Sequence, residues 1–199
     1  MSDYSPSAQE VKVLREATSA GMMDCKRALV ETAGDHDAAV TLLRERGIAK
    51  QASRSDRSTK EGVVDAYIHG GGRIGVLVEI GCETDFVAGT DEFKAFAHEV
   101  ALQISASSDA RWISRQEVPA DVIEGELEIY RAQAADKPEN VRDKIATGKL
   151  DKWLSTVCLL EQPYVRDSDR TVDDVRTEIA AKTGENVQIK RFTRYERGA

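Results

Sequence analysis

The chain holds 199 residues, of which 41% are hydrophobic and 32% charged, and 28 basic against 35 acidic side chains leave a formal charge of −7. Such a length buries a core without disulfide or metal staples, and the acidic balance argues against a general binder of nucleic acid or anionic membrane, which needs a basic field. No apolar run approaches the roughly 20 residues of a bilayer span, the N-terminus lacks a signal-peptide or transit-peptide layout, and three widely spaced cysteines, Cys25, Cys82 and Cys158, suit a reducing cytoplasm.

Residues 1–57 read as three short helices and a linker. Val11 and Leu14 mark a helix over 8–18, which Ser19-Ala20-Gly21 breaks. A second, over 23–32, carries Met22, Cys25, Leu29 and Val30 at helical spacing and ends at Ala33-Gly34. Asp35 is a good N-cap for a third, with Val40, Leu42 and Leu43 on its apolar side and Gly47 as its stop. Residues 50–57 have no apolar face and read as the linker.

Residues 58–199 form the second part. Val64, Ala66 and Ile68 alternate with Val63, Asp65 and Tyr67, and Gly70-Gly71-Gly72-Arg73 turns this strand into a return strand over 74–82. The return strand is almost continuously apolar, which predicts a central, well-covered position. A helix beginning near Thr90 carries Phe93, Phe96, Ala97, Val100, Ala101 and Ile104 on one stripe. Residues 119–157 predict an antiparallel helical hairpin. Ile123, Leu127, Tyr130 and Ala134 line its first arm, and Val141, Ile145, Leu150, Trp153, Leu154 and Val157 its second, with Asp136-Lys137-Pro138 as the reversal. Thr171-Val172-Asp173-Asp174 is a capping box opening a helix that ends at Gly184, and Val187–Tyr195 reads as a last strand.

Little in the chain looks catalytic. No strand–Gly-x-x-x-x-Gly-Lys-Ser/Thr–helix run exists to cradle a phosphate. His36, His69 and His98 fall on three different elements, with no metal-ligand spacing to a cysteine. The cysteines sit in apolar company and read as small hydrophobes. Glu83 and Asp85 lie at a strand-to-helix junction without an oxyanion donor set or a second acid. Lys190, Arg191, Arg194 and Arg197 make a small basic tail that suits a solvated strand face better than an RNA site. Two segments stand out. Gly21-Met22-Met23-Asp24-Cys25-Lys26 places two methionines at a loop-to-helix start, either as core or as a surface that adapts to a partner. Thr84-Asp85-Phe86-Val87 sets a large aromatic at a strand exit, either as a plug under the next helix or as an exposed anchor.

At these two segments the sequence resembles the bacterial translation elongation factor Ts family. The first signature is Leu14-Arg15-Glu16-Ala17-Thr18 followed by Ala20-Gly21-Met22-Met23-Asp24-Cys25-Lys26-Arg27-Ala28-Leu29. The second is Cys82-Glu83-Thr84-Asp85-Phe86-Val87-Ala88. Leu160-Glu161-Gln162-Pro163-Tyr164-Val165 and Gly184-Glu185-Asn186-Val187 through Arg191-Phe192 are similar to the family's C-terminal part. Ser19 stands where the family usually has Gly, and Gly89-Thr90 where it commonly has a basic residue and Asn.

The resemblance implies an α+β fold. An N-terminal three-helix module like ubiquitin-associated domains, 1–57, precedes an antiparallel-sheet core, 58–199, flanked by helices and carrying the 119–157 hairpin as a projection. It implies a cytoplasmic guanine-nucleotide exchange factor for elongation factor Tu, not an enzyme, with no cofactor, no metal, no direct nucleic-acid contact and no membrane. Thr84, Asp85, Phe86 and Val87 would press on the GTPase domain of Tu near its magnesium and phosphate site, and Gly21, Met22, Met23, Asp24 and Lys26 would form an N-terminal contact with that domain. Many members have a core of two similar halves. This chain has room for one, which predicts a symmetric homodimer. An adaptor reading, in which the N-terminal module recruits a partner without accelerating nucleotide release, is the rival.

Overall fold

The computed structural model describes residues 4–199 apart from 19, 53 and 55, and of 48–52 the backbone only. The described residues form an α+β fold with eight α-helices and a three-stranded antiparallel sheet. They group into two compact units. One combines residues 1–63, 80–96 and 176–188; the other combines 64–79, 97–175 and 189–199. The sheet strands, one helix of the core and the last helix run from one unit into the other.

In the first unit, α1 (Ala8–Thr18), α2 (Met22–Glu31) and α3 (His36–Ala52) make the expected three-helix module. Val11, Leu14, Cys25, Ala28, Leu29, Ala39 and Leu43 form its small core. The Asp35 carboxylate accepts the Ala38 N–H at 3.0 Å, the cap the sequence predicts. Gly47 does not stop α3, which runs on to Ala52 and takes in the first residues expected to be linker. A glycine ends a helix where the chain needs a left-handed turn. Gly47 has no positive φ, and its helical cost of about 1 kcal/mol does not outweigh the good helix formers around it. Helix α2 closes by the Gly34 N–H donating to the Leu29 carbonyl at 2.9 Å and the Ala33 N–H to the Val30 carbonyl. The left-handed residue of that turn is Ala33, at φ 51°, as well as Gly34.

Strands β1 (Glu61–His69) and β2 (Ile74–Cys82) form the expected hairpin, and β5 (Gln188–Glu196) lies on the other side of β2, so β2 is central. At Gly62 a Cβ would stand 2.0 Å from the Ile80 carbonyl oxygen, so only glycine allows the two strands this approach. Strand β2 is well covered on one face and only partly on the other. Val76, Val78 and Ile80 are buried, whereas Leu77 is exposed. Strand β1 turns Val63, Asp65 and Tyr67 inward and leaves Val64, Ala66 and Ile68 exposed. Its inward pair is engaged by helix α5 (Asp91–Ala106): His98 Nδ1 lies 2.9 Å from the Asp65 carboxylate and the Tyr67 ring meets the His98 ring edge-on. The apolar side of the strand is therefore the one facing solvent.

Helix α5 buries its whole predicted stripe, Phe93 to Ile104. In the second unit, α6 (Ala120–Gln133) and α7 (Glu139–Val157) make the predicted helical hairpin. Leu150, Leu154 and Val157 are its buried seam, with Ile123, Leu127, Tyr130 and Trp153 packed against them. Val141, expected on that seam, is exposed: toward the tip the buried positions are the small Ala134 and Ala146 instead. The capping box forms as read: the Thr171 N–H donates to Asp174 at 2.9 Å and the Asp174 N–H to Thr171 Oγ1 at 3.1 Å, opening α8 (Val172–Thr183).

Besides two short 3-10 turns, Arg115–Glu117 and Leu159–Glu161, two elements escape the sequence pattern. One is a short helix, α4 (Asp85–Gly89), after β2. The other is a two-stranded ribbon of β3 (Pro163–Tyr164) and β4 (Asp167–Thr171). The ribbon is held by polar contacts, not by apolar alternation. The buried Gln103 side chain accepts the Val165 N–H at 2.7 Å and donates to the Pro163 carbonyl, and Arg166 forks onto Glu99.

Candidate partner-binding site

Strand β2 ends in the buried Cys82, and the chain must then turn into α4. The turn is made of polar contacts. Thr84 is extended (φ −127°, ψ 153°) and N-caps α4, its Oγ1 accepting the Val87 N–H at 3.3 Å. The Glu185 carboxylate accepts the Glu83 N–H at 2.9 Å, the Thr84 N–H at 3.1 Å and the Thr84 hydroxyl at 2.6 Å. Glu83 points back. Its carboxylate accepts the Asn186 N–H at 2.6 Å and pairs with Arg57 at 3.3 Å, while the fully buried Asn186 amide donates to the Arg57 carbonyl. Cys82 Sγ donates to the Thr84 carbonyl at 3.2 Å.

This scaffold fixes the direction of the next side chains. Val87 and Ala88 are buried and anchor α4. Asp85 and Phe86 face out, and Phe86 is 79% exposed. Phe86 is thus not a plug under the next helix. A phenylalanine this exposed on a short, well-anchored helix is an aromatic ready for burial by another molecule. Glu83 and Asp85 do not act as a carboxylate pair, because Glu83 is engaged on the inner side and Asp85 faces out.

The second segment starts α2. Gly21 is its extended N-cap residue, and its carbonyl accepts the Cys25 N–H at 2.9 Å. Met22 and Met23 are 56% and 64% exposed. Met22 lies three residues before Cys25 on the apolar stripe, but at the first helical position the stripe has already run past the small core. Lys26 is exposed, and Asp24 is engaged by Arg27. Both segments belong to the same compact unit. An exposed Met-Met-x-x-Lys edge gives an adaptable apolar surface beside a cation.

The thiols are not reactive. All three cysteines are free and buried, and burial pushes Cys82 and Cys158 up to about 11, so both stay protonated near neutrality. His36 lies on α3, His69 on β1 beside Tyr67, and His98 on α5. Among the described residues, no three His, Cys, Asp or Glu side chains cluster to hold a metal ion, and no helix is long and apolar enough to cross a membrane. Sequence reading assigns no role to Arg57, nor to Glu185 and Asn186, which it marks only as part of a segment similar to the family's C-terminal part. Glu185 and Thr84 are separated by 101 positions, and no local pattern announces such a contact.

Comparison with known proteins gives one answer. A family profile described as Elongation factor TS matches residues 11–199. The chain is 55% identical over 194 residues to elongation factor Ts of Caldanaerobacter subterraneus subsp. tengcongensis, with 96% of each chain covered. It is 56% identical over 194 residues to that of a Thermoanaerobacter species, with 96% of this chain and 95% of the relative covered. To that of Thermotoga petrophila it is 53% identical over 188 residues, covering 94% of each. The chain belongs to the elongation factor Ts family, and its role lies in translation elongation.

Proposed function

We propose that this member of the elongation factor Ts family is a cytoplasmic guanine-nucleotide exchange factor that binds elongation factor Tu·GDP and speeds GDP release. The observation that carries the reading is Phe86: 79% exposed, at the start of a helix whose cap and anchor are fixed from inside. Phe86 and Asp85, flanked by Thr84 and Val87, press on the GTPase domain near its magnesium and phosphate site. Gly21, Met22, Met23, Asp24 and Lys26 hold the same domain through the N-terminal module, residues 1–57.

Exchange of this kind makes and breaks no covalent bond. The factor binds best to the conformation of Tu that holds GDP and Mg²⁺ poorly, and it shifts Tu only by that difference in affinity. Linkage makes the effect reciprocal: whatever the factor costs GDP in affinity, GDP costs the factor. Burying Phe86 in an apolar slot of the partner supplies roughly 1.5–3 kcal/mol of such preference. Asp85 brings a negative charge toward a site that depends on a cation, where like charge and hydrogen-bond competition work against the bound phosphate.

We further propose that two copies pair through the open face of the sheet. Val64 and Ile68 of β1 and Leu77 of β2 are 67%, 67% and 49% exposed. Ile68 lies over Gly75, and Val64 and Leu77 share a groove of about 300 Å³ with Glu79, Arg191 and Thr193. Glu79 and Arg191 pair at 2.6 Å beside the apolar residues. Such a face suits a second copy, which meets apolar surface with apolar surface across a two-fold axis.

The test is release of a fluorescent GDP analogue from Tu, followed by stopped flow with the parent protein and with Phe86→Ala. The parent accelerates release, and Phe86→Ala accelerates it at least tenfold less, the loss expected for about 1.4 kcal/mol of differential binding or more. The variant keeps its cooperative thermal transition, because Phe86 is not in the core. Equal release rates for parent and variant would remove Phe86 from the mechanism, and no acceleration by either would leave the adaptor reading.

A further inference from the structure

We infer that Glu185 is a positioning residue for exchange: it acts on Tu without touching it, by fixing the turn from which Phe86 projects. The inference rests on the exchange reading above and adds to it a residue far from the exposed surface in sequence.

The geometry is a relay. One carboxylate oxygen of Glu185 accepts two successive backbone N–H groups, those of Glu83 and Thr84. The other accepts the Thr84 hydroxyl proton at 2.6 Å. With its proton committed to Glu185, Thr84 Oγ1 presents a lone pair to the Val87 N–H. Thr84 also closes the first turn of α4 by accepting the Ala88 N–H on its carbonyl at 3.2 Å. Helix α4 has five residues and is too short to hold its own direction. Its direction is imposed by the cap at Thr84, and the orientation of that cap is imposed by Glu185.

Glu185 is itself well placed for this task. It follows Gly184, which ends α8 at φ +76°. Its neighbour Asn186 is fully buried, with its N–H on Glu83 and its amide on the Arg57 carbonyl. The two residues after Gly184 thus grip both sides of the turn: Asn186 holds the Glu83 side chain, and Glu185 holds the backbone and the cap. Three hydrogen bonds to one carboxylate are charge-assisted, and each is stronger than a neutral one. Removing the carboxylate frees two backbone donors and one hydroxyl. Burial of Val87 and Ala88 and the Thr90 hydroxyl and N–H on the Val87 carbonyl still hold the far end of α4, but nothing then fixes the Thr84 cap, and Phe86 samples more directions, fewer of which fit the partner.

The consequence is a loss in the maximal rate of GDP release rather than in fold. A small misplacement of a positioned group can cost one to two orders of magnitude in rate. The experiment is stopped-flow release of a fluorescent GDP analogue from Tu over a range of concentrations of the full chain, separating the maximal rate from the half-saturating concentration. The variants are Glu185→Ala, Glu185→Gln, Phe86→Ala and the Glu185→Ala/Phe86→Ala double, each checked for a cooperative thermal transition. Glu185→Ala is expected to lower the maximal rate about tenfold. Glu185→Gln, whose amide oxygen still accepts backbone N–H groups, recovers most of that loss. In the Phe86→Ala background, Glu185→Ala adds less than about a twofold change, because a residue that acts through Phe86 has nothing left to position.

The failures are distinguishable. If Phe86→Ala slows release and Glu185→Ala does not, the positioning role is wrong and the exchange site stands. If the two losses multiply in the double variant, Glu185 acts by another route and the inference falls. If Phe86→Ala leaves the parent rate unchanged, the exchange site falls and this inference with it. If Glu185→Ala does not fold, Thr84→Val decides. It removes the hydroxyl that links Glu185 to the Val87 N–H, and a parent-like maximal rate in that variant overturns the inference.

Discussion

Glu10 accepts hydrogen bonds from the Ser7 hydroxyl at 2.6 Å, from the Ser7 backbone N–H at 2.7 Å and from the Tyr4 hydroxyl, while Ser7 Oγ accepts the Glu10 N–H. This reciprocal capping box opens α1. The Ser7 hydroxyl, then Tyr4, then the Ser7 N–H hold the Glu10 carboxyl down to about 2. Its pKa is thus below the ordinary value near 4.3 of an unfolded chain. The stabilisation is complete above about pH 4.3 and disappears as the pH falls toward 2. A carbon-detected NMR titration of the Glu10 carboxyl is expected to give a midpoint near 2, with faster amide exchange in the first turn of α1 below it; a midpoint near 4 means the cap does not hold in solution. The same scale explains the exposed residues. Phe86, Met22 and Met23 contribute little to the folded core, so substitutions there report on binding and not on stability.

At the scale of elements, helix periodicity was legible because each long helix buries one stripe. The stripe of α5, the seam of the α6–α7 hairpin, and the cap at Thr171 were all visible in residue order. So was the Ser7-x-x-Glu10 box, although the helix it opens was found from Val11 and Leu14 alone. What stayed hidden has non-local causes. The cap of helix α4 is held by a partner distant in sequence, since Glu185 accepts the Thr84 hydroxyl from 101 positions away. The β3–β4 ribbon is pinned by Gln103 and Glu99 on α5, about sixty residues away in sequence. Strand β1 shows an alternating pattern, but alternation alone does not say which side faces in; the Asp65–His98 contact decides it. For the candidate site, both exposed segments were singled out from residue types, and the turn that supports one of them was not. Helix α7 also carries a fault the sequence displays openly. Gly148 lies mid-helix, exposed, with nothing within 4 Å of a Cβ built there. Gly148→Ala is expected to raise stability by about 0.5–1 kcal/mol, mainly by removing freedom from the unfolded chain. Urea denaturation with an unchanged slope checks it.

For the whole molecule, the decisive feature is the uncovered side of the sheet. A monomer carrying Val64, Ala66, Ile68 and Leu77 in water exposes an apolar face that folded proteins usually cover. The proposed homodimer covers it, and Leu77→Glu is the direct probe. It places a charge in the apolar face that the second copy would cover, with Glu79 already nearby, and leaves the buried side of β2 untouched. Sedimentation equilibrium is expected to show a dimer for the parent and a monomer for Leu77→Glu, with the helical content of both unchanged. A parent that sediments as a monomer would leave the face for another partner. Separating the face from Phe86 in this way also lets exchange activity and self-association be measured independently.

The three buried thiols give the protein an internal set of chemical reporters. Cys25 lies in the three-helix core, Cys82 at the end of the central strand, and Cys158 just past the second arm of the helical hairpin. In the closed molecule each is a protonated, sheltered sulfur that an alkylating reagent cannot reach. Each becomes reactive only when its own neighbourhood opens. The order in which a thiol-modifying reagent marks the three sites, read by peptide mass, therefore ranks the opening of the module, the sheet and the hairpin, with no label added to the chain.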